Sequence, residues 1–140
     1  MRGWRLAVAL PLLSGVHAGA FTASEATAQS FDDLVGGARH ALVEFYAPWC
    51  DACSAFAPVL REAAAELARE RGDVVLVRVD GDAQPQLRSR LQVAEAPSVL
   101  LFARGSQRDA EQPEAERFTG ALNRAALLGW ARGALPPVSE

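Results

Sequence analysis

The sequence predicts a single α/β domain in which a central mixed β-sheet is flanked by helices. Three observations predict it. Ala41–Ala47, Val74–Asp80 and Ser98–Phe102 are short runs rich in β-branched, aromatic and other apolar residues, as buried strands require. The segment after Cys50 as far as Arg71, and Leu122–Leu135, repeat apolar residues at spacings of three and four, as helices with one buried face do. The two kinds of segment alternate along the chain, which favours helices layered on a sheet. A length of 140 residues supports one domain, and a hydrophobic content of 50% is enough for its core.

Residues 1–18 read as a secretory signal peptide. Arg2 and Arg5 give a positive start, Leu6–Val16 is mostly apolar, and Val16-His17-Ala18 is a small-x-small pattern before Gly19. An uncleaved anchor is the alternative, but an apolar run of about 11 residues is short for a bilayer that needs roughly 20. Beyond residue 18 the chain has 12 arginines, 17 acids and no lysine, a net charge of −5. No basic cluster is dense enough to suggest nucleic acid or an anionic membrane. No later segment is long and apolar enough to span a bilayer, so a soluble monomer is expected.

Residues 19–30 are small and polar and form a flexible lead-in or an edge strand. Ser30 is placed to cap a short helix through Phe31, Leu34 and Val35 that Gly36-Gly37 stops. The domain then runs over 31–135. In the long helix Phe56, Leu60, Ala63, Ala64 and Leu67 share the core face, Pro58 introduces a kink, and Gly72 ends it. Val74–Asp80 is nearly continuous in β-branched residues, as a strand covered on both faces is. Gln84–Leu91 is a short helix, Ser98–Phe102 a strand, and Arg104–Gln107 a turn leading through Pro113 to a strand near Glu116–Thr119. The last helix turns Leu127 and Trp130 to the core and ends at Pro136-Pro137, leaving 136–140 as a tail.

Chemistry is concentrated in Leu42–Cys53, where an apolar strand meets Pro48, turns at Trp49 and enters a helix bearing Cys50 and Cys53. Unpaired N–H groups and the dipole at a helix start favour a thiolate, the reactive form of cysteine. Residues three apart on a helix have Cβ atoms about 5–6 Å apart, so a small adjustment joins the two sulfurs. A structural bridge closing so short a loop stabilises little. A structural zinc site wants four ligands, and the segment after residue 18 offers Cys50, Cys53 and His40. Redox chemistry is the better reading. Cys50, nearer the helix start and expected to be the more exposed, is the attacking nucleophile; Cys53 resolves the mixed disulfide.

The run Phe45-Tyr46-Ala47-Pro48-Trp49-Cys50-x-x-Cys53 resembles the active-site segment of the thioredoxin superfamily, and is most similar to a catalytic domain of a protein disulfide isomerase. The resemblance extends from about Phe31 to Ala134 and implies a thioredoxin-like three-layer fold. It departs at Asp51-Ala52, where isomerases usually carry Gly-His and thioredoxin Gly-Pro. Val93-x-x-Ala96-Pro97-Ser98-Val99 resembles the loop that carries the family's cis-proline opposite the cysteines. The resemblance thus implies a cis bond before Pro97, while Ala96 backbone groups are free to pair with an extended client. Gly120-Ala121-Leu122 does not place an arginine where isomerases do. Arg124 is displaced by two residues and is given no role.

Glu44 is an acid inside an apolar strand, six residues before Cys50. If it is buried beside the site its pKa rises and it can take or give the Cys53 proton, the role the resemblance implies; an exposed edge position is the alternative. Arg78, in the next strand where isomerases have lysine, is expected to pair with it. Trp49 either rims Cys50 and offers apolar surface to a client or packs beneath the loop. Asp51 places a negative charge beside the Cys50 thiolate, unless it points away and caps the helix. That charge, with the absence of the histidine that the resemblance places beside it in isomerases, makes the pair a weaker oxidant than an isomerase, about −180 mV, and nearer thioredoxin, about −270 mV; capping would shrink the effect.

The expected function is thiol–disulfide oxidoreductase or isomerase chemistry on cysteines of client proteins. No metal or organic cofactor is called for, and electrons come from another dithiol or glutathione. The alternatives are a reductase dedicated to one partner and a thioredoxin-fold chaperone or binding module. The leader implies the secretory pathway, foremost the endoplasmic reticulum lumen, with secretion or a bacterial periplasm as alternatives. Pro137-Val138-Ser139-Glu140 is not a Lys-Asp-Glu-Leu type retention signal.

Overall fold

The computed structural model describes residues 21–106 and 114–138. The leader at 1–18 and most of the polar loop before Pro113 lie outside the described residues. The elements in order are β1 (Ser24–Glu25), α1 (Phe31–Leu34), β2 (His40–Tyr46), α2 (Asp51–Arg71), β3 (Val74–Asp80), α3 (Pro85–Arg90), β4 (Ser98–Phe102), β5 (Glu116–Arg117) and α4 (Arg124–Ala134). They build one five-stranded mixed sheet in the order β1-β3-β2-β4-β5. β1, β3 and β2 run parallel, while β4 is antiparallel to β2 and β5 antiparallel to β4.

The central strands are apolar on both faces because helices cover both. On one face Leu42, Leu76, Val99 and Leu101 pack against Phe56, Leu60 and Leu67 of α2 and Leu127 of α4. On the other, Val43, Phe45, Val77, Val79 and Leu100 meet Phe31 of α1 and Leu87 of α3. The Phe31 and Phe102 rings meet edge to face there, their centroids 5.8 Å apart. The result is the expected three-layer fold. Leu60 is fully buried, and truncating it to alanine is worth about 2–5 kcal/mol of stability.

α2 ends where expected, with Gly72 at φ 74°, a left-handed cap that glycine adopts without strain. The chain stays helical through Pro58. Several boundaries differ from the sequence expectations, each for a local reason. Ser30 precedes α1, but its hydroxyl accepts from the Thr27 N–H at 2.9 Å and does not cap the helix. α4 begins at Arg124 and not Leu122 because the Asn123 side chain accepts from the Ala126 N–H at 2.9 Å. That leaves Leu122 outside the helix and 47% exposed. Trp130 faces the core as expected, partly buried against it and against the Phe118 ring. Ser24 and Glu25 pair with Val77 and Arg78, so the polar lead-in contributes an edge strand.

Candidate functional site: a disulfide at the start of a long helix

β2 delivers the chain to one end of the sheet, where Pro48 and Trp49 form a turn that the Cys50 N–H closes on the Ala47 carbonyl at 3.2 Å. Cys50 is the N-cap of α2, with extended backbone (φ −88°, ψ 106°). Its sulfur accepts from the Cys53 N–H at 3.1 Å, filling the place a capping serine or aspartate oxygen takes elsewhere. Asp51, the alternative cap, instead sits exposed in the first turn. Cys50 and Cys53 form a disulfide with Cα atoms 5.2 Å apart.

Both sulfur residues are buried in the disulfide, and Cys50, at 6% exposure against 3% for Cys53, is the more exposed by a small margin. Ala47, Tyr46 and Ala96 cover them. The donor aimed at Cys50 Sγ and the dipole of a 21-residue helix would both stabilise negative charge there once the bridge opens.

The Ala96–Pro97 peptide is cis, and the Ala96 carbonyl oxygen lies 3.6 Å from Cys50 Sγ. The Pro97 loop stands between two open hollows. One, of about 300 Å³, is lined by Trp49, Asp82, Arg88, Glu95 and Ala96 among others. The second, of about 320 Å³, includes Ala96, Pro97, Phe118, Gly120 and Leu122. Trp49 is 73% exposed, which excludes packing beneath the loop, and its indole N–H donates to Asp82 Oδ2 at 2.6 Å. The neighbouring Arg88 is held in place by donating to the Val93 and Ala94 carbonyls at 3.0 and 3.1 Å.

Glu44 is not at an edge. It lies in the central strand at 1% exposure, on the same face as Leu42, beneath the helix that carries Cys53. Arg78 Nε donates to Glu44 Oε2 at 3.1 Å, while Oε1 is buried without a hydrogen-bond partner. Burial pushes the carboxyl up from its ordinary range, and the Arg78 guanidinium opposes that. Arg124 lies away from this pair and bonds Glu66 at the surface. Sequence reasoning missed Asp82 and Glu25. Asp82 reads as a plain turn residue, and Glu25 reaches Arg78 only through a two-residue strand pairing.

A model of the thioredoxin family matches residues 22–132. Protein disulfide-isomerase A2 of Pongo abelii is 42% identical over 96 residues, covering 69% of this chain and 17% of that protein. The chain therefore spans well under a fifth of this relative's length. Among solved structures, the zinc-bound form of human ERp44 aligns with a TM-score of 0.69 at 25% identity, over 80% of this chain and 31% of that one. The Trx4 domain of ERdj5 aligns with a TM-score of 0.65 at 28% identity, over 79% of this chain and 93% of that one.

Proposed function

Because this chain belongs to the thioredoxin family, we propose that it is a thiol–disulfide oxidoreductase of the protein disulfide isomerase kind. The observation that carries the reading is the Cys50–Cys53 disulfide capping α2, with a backbone donor on Cys50 Sγ and the Pro97 loop beside it.

In the reduced chain the Cys50 thiolate attacks a client disulfide. The client S–S bond breaks, one client sulfur leaves as a thiolate, and a mixed disulfide forms. Cys53 then gives its proton to Glu44 and attacks Cys50 Sγ, releasing the second client sulfur. Two electrons have passed to the client, and Glu44 returns its proton to solvent or to the departing thiolate. Run backwards, the same steps oxidise a client dithiol. The exposed Trp49 and the hollows on either side of Pro97 give an extended client segment its apolar and backbone contacts. Electrons enter or leave through another dithiol or glutathione. The isomerase relatives and the apolar leader support the secretory pathway, and the endoplasmic reticulum lumen as the compartment.

The test is turnover of a peptide containing one cystine bridge. Cys50→Ser should abolish exchange, and Cys53→Ser should accumulate a peptide adduct on Cys50 visible by mass spectrometry. A wild-type chain that suppresses client aggregation and never exchanges would instead be a binding module.

A further inference from the structure

Glu25, Arg78 and Glu44 stand in one row across three neighbouring strands. The parallel registers place Glu25 opposite Arg78 and Arg78 opposite Glu44, so all three side chains leave the same face of the sheet. Tyr46 follows Glu44 by two residues and shares that face. Arg78 lies over the Tyr46 ring, 4.0 Å from its centroid. It gives Nε to Glu44 at 3.1 Å and Nη1 to Glu25 Oε1 at 3.4 Å. The Tyr46 hydroxyl donates to the other Glu25 oxygen at 3.0 Å. The guanidinium is thus divided between a buried acid and an edge acid, with an aromatic hydroxyl holding the edge acid in place.

We propose that Glu25 and Tyr46 are positioning residues for the disulfide chemistry: they draw Arg78 toward the sheet edge, limit it to a single bond with Glu44, and so keep Glu44 ready to hold the proton that Cys53 gives up. The proposal rests on the proton role given to Glu44 above. The guanidinium fork can meet a carboxylate with two parallel bonds, yet Glu44 receives one and its Oε1 stays buried and unpartnered. An exposed Arg–Glu pair is worth little by itself. What Glu25 changes is where the cation sits relative to a carboxylate at 1% exposure, where screening is weak. The charged groups facing Glu44 are Arg78 from β3, Glu25 from β1 and Arg61 from α2. Glu25 is the one acid among them, and its charge also opposes ionisation of Glu44. Burial and the bond to Glu25 push the Tyr46 phenol up to about 12, so it remains a neutral donor at working pH.

Removing the Glu25 charge or the Tyr46 hydroxyl should therefore let Glu44 ionise at lower pH. The experiment is a carboxyl-carbon NMR titration of the full chain labelled at glutamate, with Glu44→Gln assigning the resonance. In Glu25→Gln and in Tyr46→Phe the Glu44 midpoint should fall by about half a pH unit, an ~3-fold change in its proton affinity. The pH profile of the Cys53 step should move with it. An unmoved or raised midpoint in Glu25→Gln overturns the proposal, and an unmoved one in Tyr46→Phe removes Tyr46 from it. Glu25→Asp, which keeps the charge, should recover most of the shift. The titration is independent of activity: a midpoint that moves in a chain without exchange activity sinks the function reading and leaves the positioning intact.

Discussion

The Trp49 indole, 73% exposed, is pinned by its N–H to Asp82 Oδ2 at 2.6 Å across 33 residues of chain. Asp82 is itself fixed by a turn in which Asp80 Oδ1 accepts from the Asp82 and Ala83 N–H groups at 3.0 and 3.1 Å. A large ring is thereby held still in solvent beside Cys50, its ordering cost met before a client arrives. Asp82→Ala should free the ring and lower kcat/KM for a cystine peptide about 2- to 10-fold, mostly through KM. Indole fluorescence anisotropy should fall in the same variant; unchanged anisotropy would show that the bond does not restrain the ring.

Glu44 should make the fold less stable as pH rises. Its folded carboxyl titrates above the ordinary 4.5 because burial disfavours the charged form. Between 4.5 and its folded value the native state binds a proton that the unfolded chain has lost, so stability drains away across that window. Glu44→Gln keeps an acceptor for Arg78 and removes the buried charge. It should stabilise the chain at pH 7 by about 1 kcal/mol or more, roughly 3–5 °C in Tm. Below pH 4.5 the gain should vanish. A gain equal at pH 4 and pH 7 would rule the charge out as its source.

Much of this site is legible in the sequence because its signals are local. The Cys50–Cys53 spacing, the Pro48 break and the β-branched run of Val74–Asp80 each report their own structure within a few residues. Glu44 stands out for the same reason, as an acid in an apolar strand. The contacts that were not legible depend on register. Whether Arg78 meets Glu44 alone or Glu25 as well is decided by β1 pairing with β3 over two residues, too short a strand for a period-2 pattern to register. The start of α4 differs from the expected Leu122 because the Asn123 side chain caps the helix one residue later, and a capping asparagine carries no apolar signal. How little of Cys50 is exposed was not legible, because its cover includes Ala96, 46 residues away in sequence.

His40 supplies the opposite pH limb. It is buried, its Nδ1 accepts from the Arg104 N–H at 3.0 Å, and Nε2 lies 3.5 Å from Asp73 Oδ2. Protonation of Nδ1 would forfeit that bond, and burial holds the imidazole below its ordinary 6.5 against the pull of Asp73. As pH falls below 6.5 the unfolded chain takes up a proton that the native state refuses, and stability declines. His40→Asn keeps an acceptor near the Nδ1 position without a titrating group. As pH falls from 7 to 5 the wild-type denaturant midpoint should drop relative to that of the variant, whatever the trend set by Glu44 in both; parallel curves would exclude His40.

Asp51 is the residue whose effect on the chemistry is most open to measurement. It is exposed in the first turn of α2, one residue past the cap formed by Cys50. Its carboxylate favours the helix dipole in both redox states, but only in the reduced state does it face a thiolate at the same helix end. The dithiol form is therefore the one it destabilises, and the pair should be the more reducing for it. A surface charge acting at a helix terminus is worth about 0.3–1 kcal/mol, which for two electrons is roughly 6–20 mV. Asp51→Asn should raise the potential of the Cys50–Cys53 couple by about that much in glutathione buffers, and high salt should shrink the difference. Trp49, directly before Cys50, reports the transition by fluorescence. A potential that falls in Asp51→Asn would mean that the Asp51 charge stabilises the dithiol form, and would overturn the repulsion argument.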